Sequence, residues 1–135
     1  MESEPVVFVV DDDPRVCESV VASLWQRHVT VRCFSSAERF LDGFDRTRAG
    51  CLLVDIEADD LSSSELRERL DCEDVDLPMI VVGKSDEHGV ANAVRAMRGG
   101  AVDFLTKPLT DRGIWRSIRK ALKQRGRQEQ PRLSK

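Results

Sequence analysis

Residues 6–14 read VVFVVDDDP, five apolar residues followed by three aspartates and a proline. An apolar run rich in β-branched residues indicates a strand buried on both faces, and such strands belong to parallel sheets covered by helices. Asp13 and Pro14 are typical of a helix start, as N-cap and first helical residue. That start leaves Asp11 and Asp12 unexplained. Neighbouring carboxylates repel each other, so the cluster needs water or a cation, and a divalent ion such as Mg²⁺ binds carboxylate oxygens.

The rest of the chain alternates between further apolar runs and amphipathic segments. Strands are predicted near residues 6–10, 29–33, 51–54, 78–82 and 102–106. Helices are predicted near residues 14–27, 35–44, 63–70, 86–98 and from 111 onward. This alternation indicates an α/β sheet wound by right-handed crossovers, with no internal repeat and no second domain in view.

Local signals mark two of the helix ends. Ser35 and Glu38 have the spacing of a capping box, in which a serine and an acid satisfy the free N–H groups of a helix start. Gly99 and Gly100 follow the fourth helix in the manner of a C-cap. These signals support the predicted limits of the second and fourth helices.

Charge is distributed unevenly along the 135 residues, a length that fits one domain. From Asp111 onward there are nine Lys/Arg against two Asp/Glu, a net charge of +7, so residues 1–110 carry −10 of the total of −3. An acidic body argues against nucleic-acid binding by this domain, and the basic last helix is interpreted as a solvated face. Few apolar residues follow Gln124, so we expect a domain over 1–123 and a flexible basic tail or linker start over 124–135.

Cysteine usage and the N-terminus suggest a cellular location. The four cysteines form no CxxC pair, and the two histidines do not cluster, which argues against metal binding through sulfur. We expect all four to be reduced in a cytoplasmic protein: Cys17, Cys33, Cys51 and Cys72. The chain has an acidic start and no apolar run as long as a membrane span, so neither export nor membrane insertion is expected.

Charged residues follow three of the predicted strands. Asp11 and Asp12 end the first strand, Asp55 ends the third, and Lys107 ends the fifth. In sheets of this class ligands bind beyond the carboxyl ends of the strands, so the four side chains should share one edge. Three carboxylates and an ammonium suit a divalent cation and a phosphoryl group, with Asp55 as a nucleophile that forms an acyl phosphate. Each aspartate taken singly could instead cap the helix that follows it.

The order of these motifs resembles a known family. VVDDD at residues 9–13, LLVD at 52–55 and VDFLTKP at 102–108 look like the receiver domain of bacterial two-component response regulators. FSSAERFL at 34–41 and GAVDFLTKP at 100–108 are most similar to the FixJ-like branch, and the resemblance covers residues 5–123. It implies a flavodoxin-like (CheY-like), doubly wound, five-stranded parallel sheet of order 2-1-3-4-5 with five helices.

The same resemblance implies a function and a partner. A histidine kinase or phosphotransfer protein would pass a phosphoryl group to Asp55 with Mg²⁺ as cofactor. Asp12 and Asp55 would bind the ion directly, Asp11 through water, and Glu57 through its backbone carbonyl. Lys107 would hold the phosphoryl group. The domain would be a signalling module with self-phosphorylation and self-dephosphorylation only, rather than an enzyme.

The resemblance also assigns structural roles. The Lys107–Pro108 peptide bond would be cis. Phe104 occupies the aromatic switch position, although plain packing at the sheet edge explains it equally well. Phosphorylation would reshape the surface made by helix 4, strand 5 and helix 5, through which such domains can form homodimers. Four apolar side chains could contribute to that surface or pack against the sheet: Val90, Val94, Met97 and Trp115.

Several positions depart from the family pattern. The family places a Ser or Thr hydroxyl at the end of strand 4, a position that is Gly83 when counted from Pro78 and Ser85 when counted back from Lys107. Either the hydroxyl is missing, which we favour, or Ser85 supplies it from a longer loop.

Further departures follow Asp55. Ala58-Asp59 replaces the family's Met-Pro, and Ser63 replaces a later Gly. Asp59 and Asp60 add negative charge near the site, which would tighten metal binding or weaken phosphorylation.

Two other functions fit parts of the pattern. A pseudo-receiver would keep the fold as a protein-binding surface without phosphorylation. A small phosphatase of the haloacid dehalogenase type would use Asp11 as nucleophile and Asp13 as acid/base. Against the phosphatase, Arg15 stands where that motif has Thr or Val, and the length leaves no room for a cap domain. No output domain follows the tail, so the sequence predicts a stand-alone receiver or a fragment of a longer transcription regulator.

Overall fold

The computed structural model describes residues 4–57 and 61–128. Five strands and five helices alternate along the chain. The strands are β1 (Val6–Val10), β2 (Thr30–Phe34), β3 (Gly50–Asp55), β4 (Met79–Lys84) and β5 (Asp103–Lys107). The helices are α1 (Pro14–Leu24), α2 (Ala37–Gly43), α3 (Ser63–Cys72), α4 (Gly89–Arg98) and α5 (Asp111–Gln128).

All neighbouring strands pair in parallel, in the order β2-β1-β3-β4-β5. The predicted flavodoxin-like topology is therefore confirmed. Val6 at the start of β1 lies opposite both Thr30 of β2 and Gly50 of β3, so the three strands begin together, and β3 continues one residue further, to Asp55. The strand order reverses between β1 and β3, and this switch point opens a crevice at the carboxyl ends of the strands.

Each face of the sheet carries its own hydrophobic core. Alternate residues of β1 point to opposite faces, and all five are buried, as the apolar run predicts. One core joins the sheet to α2, α3 and α4, with Phe8 packed against the stacked rings of Phe40 and Phe44. The other joins the sheet to α1 and α5, with Ile114 and Ile118 fully buried. Cores on both faces hold the strand ends in fixed positions.

Helix α2 begins one residue later than predicted. Its N-cap is Ser36, whose hydroxyl accepts a hydrogen bond from the Arg39 N–H at 3.1 Å. The N-cap is therefore Ser36 and not the predicted Ser35, because the backbone at Ser36 is still extended, with φ −152° and ψ 160°. A reciprocal capping box forms instead at α3, between Ser62 and Glu65.

Two other boundaries differ from the sequence prediction. Helix α1 ends at Leu24 and not near Arg27, since Gln26 lies at φ 70° in the left-handed region. Strand β4 continues two residues past the predicted end, because Gly83 pairs with Thr106 and Lys84 with Lys107 of β5. The α4 end agrees with the glycine signal: Gly99 is the C-cap, and Gly100 has φ +100°.

The expectation that all four cysteines are reduced is wrong. Cys17 of α1 and Cys33 of β2 form a disulfide, with their Cα atoms 6.2 Å apart. The packing of α1 beside β2 brings them together, and the sequence spacing carries no sign of it. Cys51 is buried and Cys72 exposed, both as free thiols. Among the described residues, no helix combines the length and the apolar character needed to cross a bilayer.

Candidate functional site

The carboxyl ends of β1, β3 and β5 bring four of the predicted site residues together. Asp11, Asp12 and Asp55 each offer a carboxylate oxygen, and these oxygens lie within 4.8 Å of one another. The Lys107 ammonium lies 3.0 Å from Asp55 Oδ2 and 3.4 Å from Asp11 Oδ2. These four residues form what we call the acidic pocket. Its geometry follows from the parallel sheet, because the strand ends share one edge.

Asp11 is the most enclosed carboxylate of the pocket. Its backbone N–H donates to the Phe34 carbonyl at 3.1 Å, and its Oδ1 accepts the Asp13 N–H at 2.9 Å. Its Oδ2 is buried and accepts no hydrogen bond from the described residues. Its polar contact is the ion pair with Lys107. Burial, aided by the charge of Asp55, raises the pKa of Asp11 against the opposing effects of the Asp13 N–H and Lys107. A buried carboxylate oxygen that lacks a hydrogen-bond donor is stabilised by a nearby cation.

Asp55 is held at the centre of the pocket by two donors. Its Oδ1 accepts the Glu57 N–H at 2.8 Å, and its Oδ2 accepts from Lys107. Asp55 is 7% exposed, so one edge of its carboxylate faces the pocket opening. Asp12 is exposed and adds a carboxylate on the solvent side.

Lys107 remains an ammonium in this setting. Burial acts to lower its pKa, but the hydrogen bond to Asp55 and the charges of Asp55 and Asp11 outweigh burial and raise the pKa. The Lys107–Pro108 peptide bond is cis. The pocket therefore holds one fixed positive charge against three carboxylates and remains net negative.

Asp13 belongs to helix α1 rather than to the pocket. Its side chain caps α1 by accepting the Arg15 N–H at 3.0 Å, and the Arg15 guanidinium donates to both of its oxygens. The hydrogen bonds from Arg15 lower the pKa of Asp13. A carboxylate engaged in this way is poorly suited to the acid/base role that the phosphatase alternative requires.

Gly83 leaves the end of β4 without a side chain, and an aromatic ring fills the space. A Cβ at Gly83 would lie 2.7 Å from Phe104 Cζ and 3.2 Å from Ile56 Cγ2. Ser85 follows β4 and is exposed, and among the described residues its hydroxyl makes no hydrogen bond to Asp55 or Lys107. The structure therefore places Gly83, not Ser85, beside Phe104 at the end of the strand.

One ion pair near the pocket is not predicted from the sequence. Lys84 Nζ lies 3.6 Å from Glu57 Oε1, so this ion pair links the end of β4 to the segment that follows β3. The usable signal was a lysine directly after the apolar part of β4. Ser63 is the first residue of α3. The predicted contribution of Ala58, Asp59 and Asp60 lies outside the described residues.

Two of the surface cavities differ in character. One of about 360 Å³ adjoins the acidic pocket, and its lining includes Val16, Lys107, Pro108 and Leu109. The other, of about 580 Å³, lies between α5 and Arg27, which follows α1, and is lined mainly by basic residues. Trp115 lies there, with the Arg27 guanidinium 4.5 Å from its ring. Trp115 therefore packs beside Arg27, whereas Val90, Val94 and Met97 are exposed on α4.

The fold and the pocket together define a doubly wound α/β domain with an acidic, lysine-containing crevice at its switch point. Residues 7–119 match the response regulator receiver domain family, and the chain belongs to that family. This is the family that the sequence motifs resemble, so that prediction is confirmed. The family consists of receiver domains of two-component systems and is not a family of enzymes.

Curated relatives and solved structures agree with this assignment. The response regulator protein TmoT of Ectopseudomonas mendocina is 33% identical over 90% of this chain and 54% of its own length. The transcriptional regulatory protein FixJ of Rhizobium meliloti is 37% identical over 85% of this chain and 55% of its own length. The crystal structure of FixJ-N has a TM-score of 0.75 and 35% identity, and covers 91% of this chain and 96% of that one. The chain thus spans a little over half the length of these curated relatives.

Proposed function

We propose that this receiver domain accepts a phosphoryl group on Asp55 from a histidine kinase or phosphotransfer protein. The observation that carries the proposal is the shared contact of Lys107 with Asp55 and Asp11 at the tips of three strands. A nucleophilic carboxylate, a second carboxylate and a fixed ammonium then lie within reach of one small ligand. This arrangement fits phosphoryl transfer, in which catalysis consists mainly of positioning and charge stabilisation.

The residues of the pocket fit a bound Mg²⁺. The ligand set would be Asp11, Asp12, Asp55 and the backbone carbonyl of Glu57. Oxygen ligands are the ones Mg²⁺ prefers, and the buried Asp11 Oδ2, which accepts no hydrogen bond from the described residues, could bind a second cation beside its ion pair with Lys107. A bound ion would supply positive charge that offsets the repulsion between these carboxylates and stabilises the negative charge of a phosphoryl group.

The proposed transfer is a single displacement at phosphorus. An oxygen of Asp55 forms a bond to the phosphorus of a phosphohistidine as the phosphorus–nitrogen bond breaks, and the imidazole nitrogen keeps the electron pair. Lys107 moves its ammonium from Asp55 Oδ2 to a phosphoryl oxygen. The pKa of Lys107 is raised, so this positive charge is present throughout the neutral range.

The donor histidine is proposed to enter beside Lys107. The cavity of about 360 Å³ reaches this lysine and is bordered by Val16 of α1 and by Pro108 and Leu109 after β5. The lining is apolar at Val16, Pro108 and Leu109 and polar at Asp13, Arg15 and Ser19, and the lysine would orient the transferring group. The partner's helix would therefore lie along the N-terminal half of α1.

Phosphorylation is proposed to change the surface formed by α4, β5 and α5, which can also support a homodimer. Val90 on α4 is 80% exposed, and Val94 and Met97 lie on the same helix with 45% exposure each. The Phe104 ring, seated over Gly83, links β5 to the end of β4. In this chain the ring position is set by packing on Gly83 and Ile56 and not by a hydroxyl at that position.

Gly83 also favours a second candidate function. A receiver without the β4 hydroxyl could serve as an unphosphorylated protein-interaction module. The fold and exposed α4 face would then be retained, and the acidic pocket would have no phosphoryl group to receive.

The test is phosphorylation by a small donor. Incubation with acetyl phosphate and Mg²⁺ should add the mass of one phosphoryl group, measured by intact-protein mass spectrometry. Asp55→Asn should abolish the adduct, and a chelator should suppress it. Asp13→Asn is the matched control: asparagine also caps helices, so this variant should still be modified.

Other outcomes separate the alternatives. The absence of an adduct at saturating donor would favour the unphosphorylated module. Turnover of a phosphatase substrate that survives Asp55→Asn but not Asp11→Asn would favour the phosphatase.

A further inference from the structure

The disulfide joins α1 to β2 at an ordinary backbone spacing. Cys17 and Cys33 have Cα atoms 6.2 Å apart, inside the range of about 4.4–6.8 Å that ordinary disulfides span. The bond therefore needs no unusual approach of the helix to the strand. The two residues are 16 apart in sequence, on α1 and β2.

The four cysteines differ in their access to solvent. Cys33 is exposed on the edge strand β2, and Cys17 is half-buried on α1. Exposed disulfides are the ones open to attack by thiols, and they are more often labile than structural. Cys51 is fully buried, and burial raises its pKa to about 12, so it is inert by comparison. Cys72 is exposed but has no partner cysteine.

The bridge joins the two segments that hold the acidic pocket in place. Cys17 lies one helical turn after Asp13, the N-cap of α1. Cys33 directly precedes Phe34, whose carbonyl accepts the Asp11 N–H at 3.1 Å. A bond between Cys17 and Cys33 therefore ties the start of α1 to the strand that anchors Asp11.

We propose that Cys17 and Cys33 form a reversible thiol–disulfide pair, oxidised by low-molecular-weight disulfides, whose oxidised form restrains the β1–α1 side of the acidic pocket. In the first step the Cys33 thiolate attacks one sulfur of glutathione disulfide, and the other sulfur leaves as a thiolate. In the second step the Cys17 thiolate attacks the Cys33 sulfur and releases the second glutathione. The two protein thiols lose two protons and two electrons, and one disulfide is reduced to two thiols.

Oxidation should stabilise the fold and slow local opening. Closing a loop of this length restricts the unfolded chain, and we expect the oxidised form to unfold about 10 °C above the reduced form. The restraint acts next to Asp11, so hydrogen exchange of the Asp11 amide should also be slower in the oxidised form.

The experiment uses the full chain with Cys72→Ser, which removes the second exposed thiol. The protein is equilibrated in buffers that differ in their ratio of reduced to oxidised glutathione. An alkylating agent is then added under native conditions to block the free thiols, and intact-protein mass spectrometry counts the alkylated cysteines. We expect two alkylations in reducing buffer and none in oxidising buffer, while buried Cys51 stays unlabelled in both. Unfolding temperatures are measured on the same samples.

The matched control adds Cys33→Ser to the Cys72→Ser background. This variant cannot form the bridge, so its unfolding temperature should be the same in both buffers. The proposal is overturned if the pair stays reduced in excess glutathione disulfide or stays oxidised in excess dithiothreitol. It is also overturned if oxidation leaves the unfolding temperature and the Asp11 exchange rate unchanged.

Discussion

The space left by the missing side chain at Gly83 is occupied by an aromatic ring from the neighbouring strand. A Cβ at Gly83 would lie only 2.7 Å from Cζ of the Phe104 ring, which is closer than an ordinary contact. Gly83 is buried and lies next to Val82, which pairs with Asp55 in the sheet. The absent hydroxyl and the packed aromatic are therefore one structural feature rather than two separate departures.

A double-mutant cycle tests this coupling. Gly83→Ala should lower the free energy of unfolding by about 1–3 kcal/mol, because the new methyl group overlaps the Phe104 ring. In a Phe104→Ala background the same substitution should be close to neutral, since alanine loses less backbone entropy than glycine on folding. Urea unfolding of the four proteins measures the cycle. Gly43→Ala is the control, because its Cβ would meet Phe34 at an ordinary 3.6 Å. Equal costs of Gly83→Ala in both backgrounds would contradict the coupling.

The sequence predicts the residues of the acidic pocket better than their contacts. Asp11, Asp12, Asp55 and Lys107 were found because each follows an apolar run, and parallel strands bring such ends to one edge. The unfilled Asp11 Oδ2 could not be predicted in this way, because it depends on which way each carboxylate rotates. The bridge between the two cysteines depends on the packing angle of α1 on the sheet, which hydrophobic periodicity does not encode.

At the level of elements, the strands were predicted well because both faces of the sheet are covered. Continuous burial of β1, β3 and most of β4 produces the apolar runs that make these strands visible in the sequence. Helix starts were harder to predict. Ser35 and Ser36 are adjacent candidates for the N-cap of α2, and only the extended backbone at Ser36 decides between them. Backbone dihedrals of this kind are set by how α2 packs against β1 and β2.

The α2 cap gives a prediction with an adjacent control. Ser36→Ala removes the acceptor of the Arg39 N–H, so it should lower the free energy of unfolding by about 1 kcal/mol. Ser35 lies one residue earlier and is exposed, so Ser35→Ala should change the free energy of unfolding by less than about 0.5 kcal/mol. Chemical denaturation of both variants measures the difference. A larger loss for Ser35→Ala would show that the cap is at the predicted position after all.

On the scale of the whole molecule, the domain is closed by the last helix. Helix α5 packs Ile114, Ile118 and Ala121 into the core that it shares with α1, and all three are buried. Its basic residues, including Arg116 and Lys120, line the cavity between α5 and Arg27. Among the described side chains, much of the positive charge of the last helix therefore lies on one face, whereas the acidic pocket is net negative.

The extent of the folded domain follows from this closure and can be measured. The backbone of α5 continues to Gln128, four residues beyond Gln124, where the sequence predicts the tail to begin. Residues 125–135 include a single apolar side chain, Leu133, so they offer little surface for the hydrophobic core. We therefore expect a chain that ends at Gln124 to unfold within about 2 °C of the full chain by differential scanning calorimetry.

A core variant shows that this measurement is sensitive enough. Ile118→Ala should lower the free energy of unfolding by about 2–5 kcal/mol, because it leaves a cavity in the core between α5 and the sheet. The unfolding temperature should fall by several degrees for each kcal/mol lost in a domain of this size. If the chain ending at Gln124 loses as much as Ile118→Ala, residues 125–135 contribute to the packed domain. If its unfolding temperature is unchanged, residues 125–135 are not needed for the stability of the domain that carries the acidic pocket.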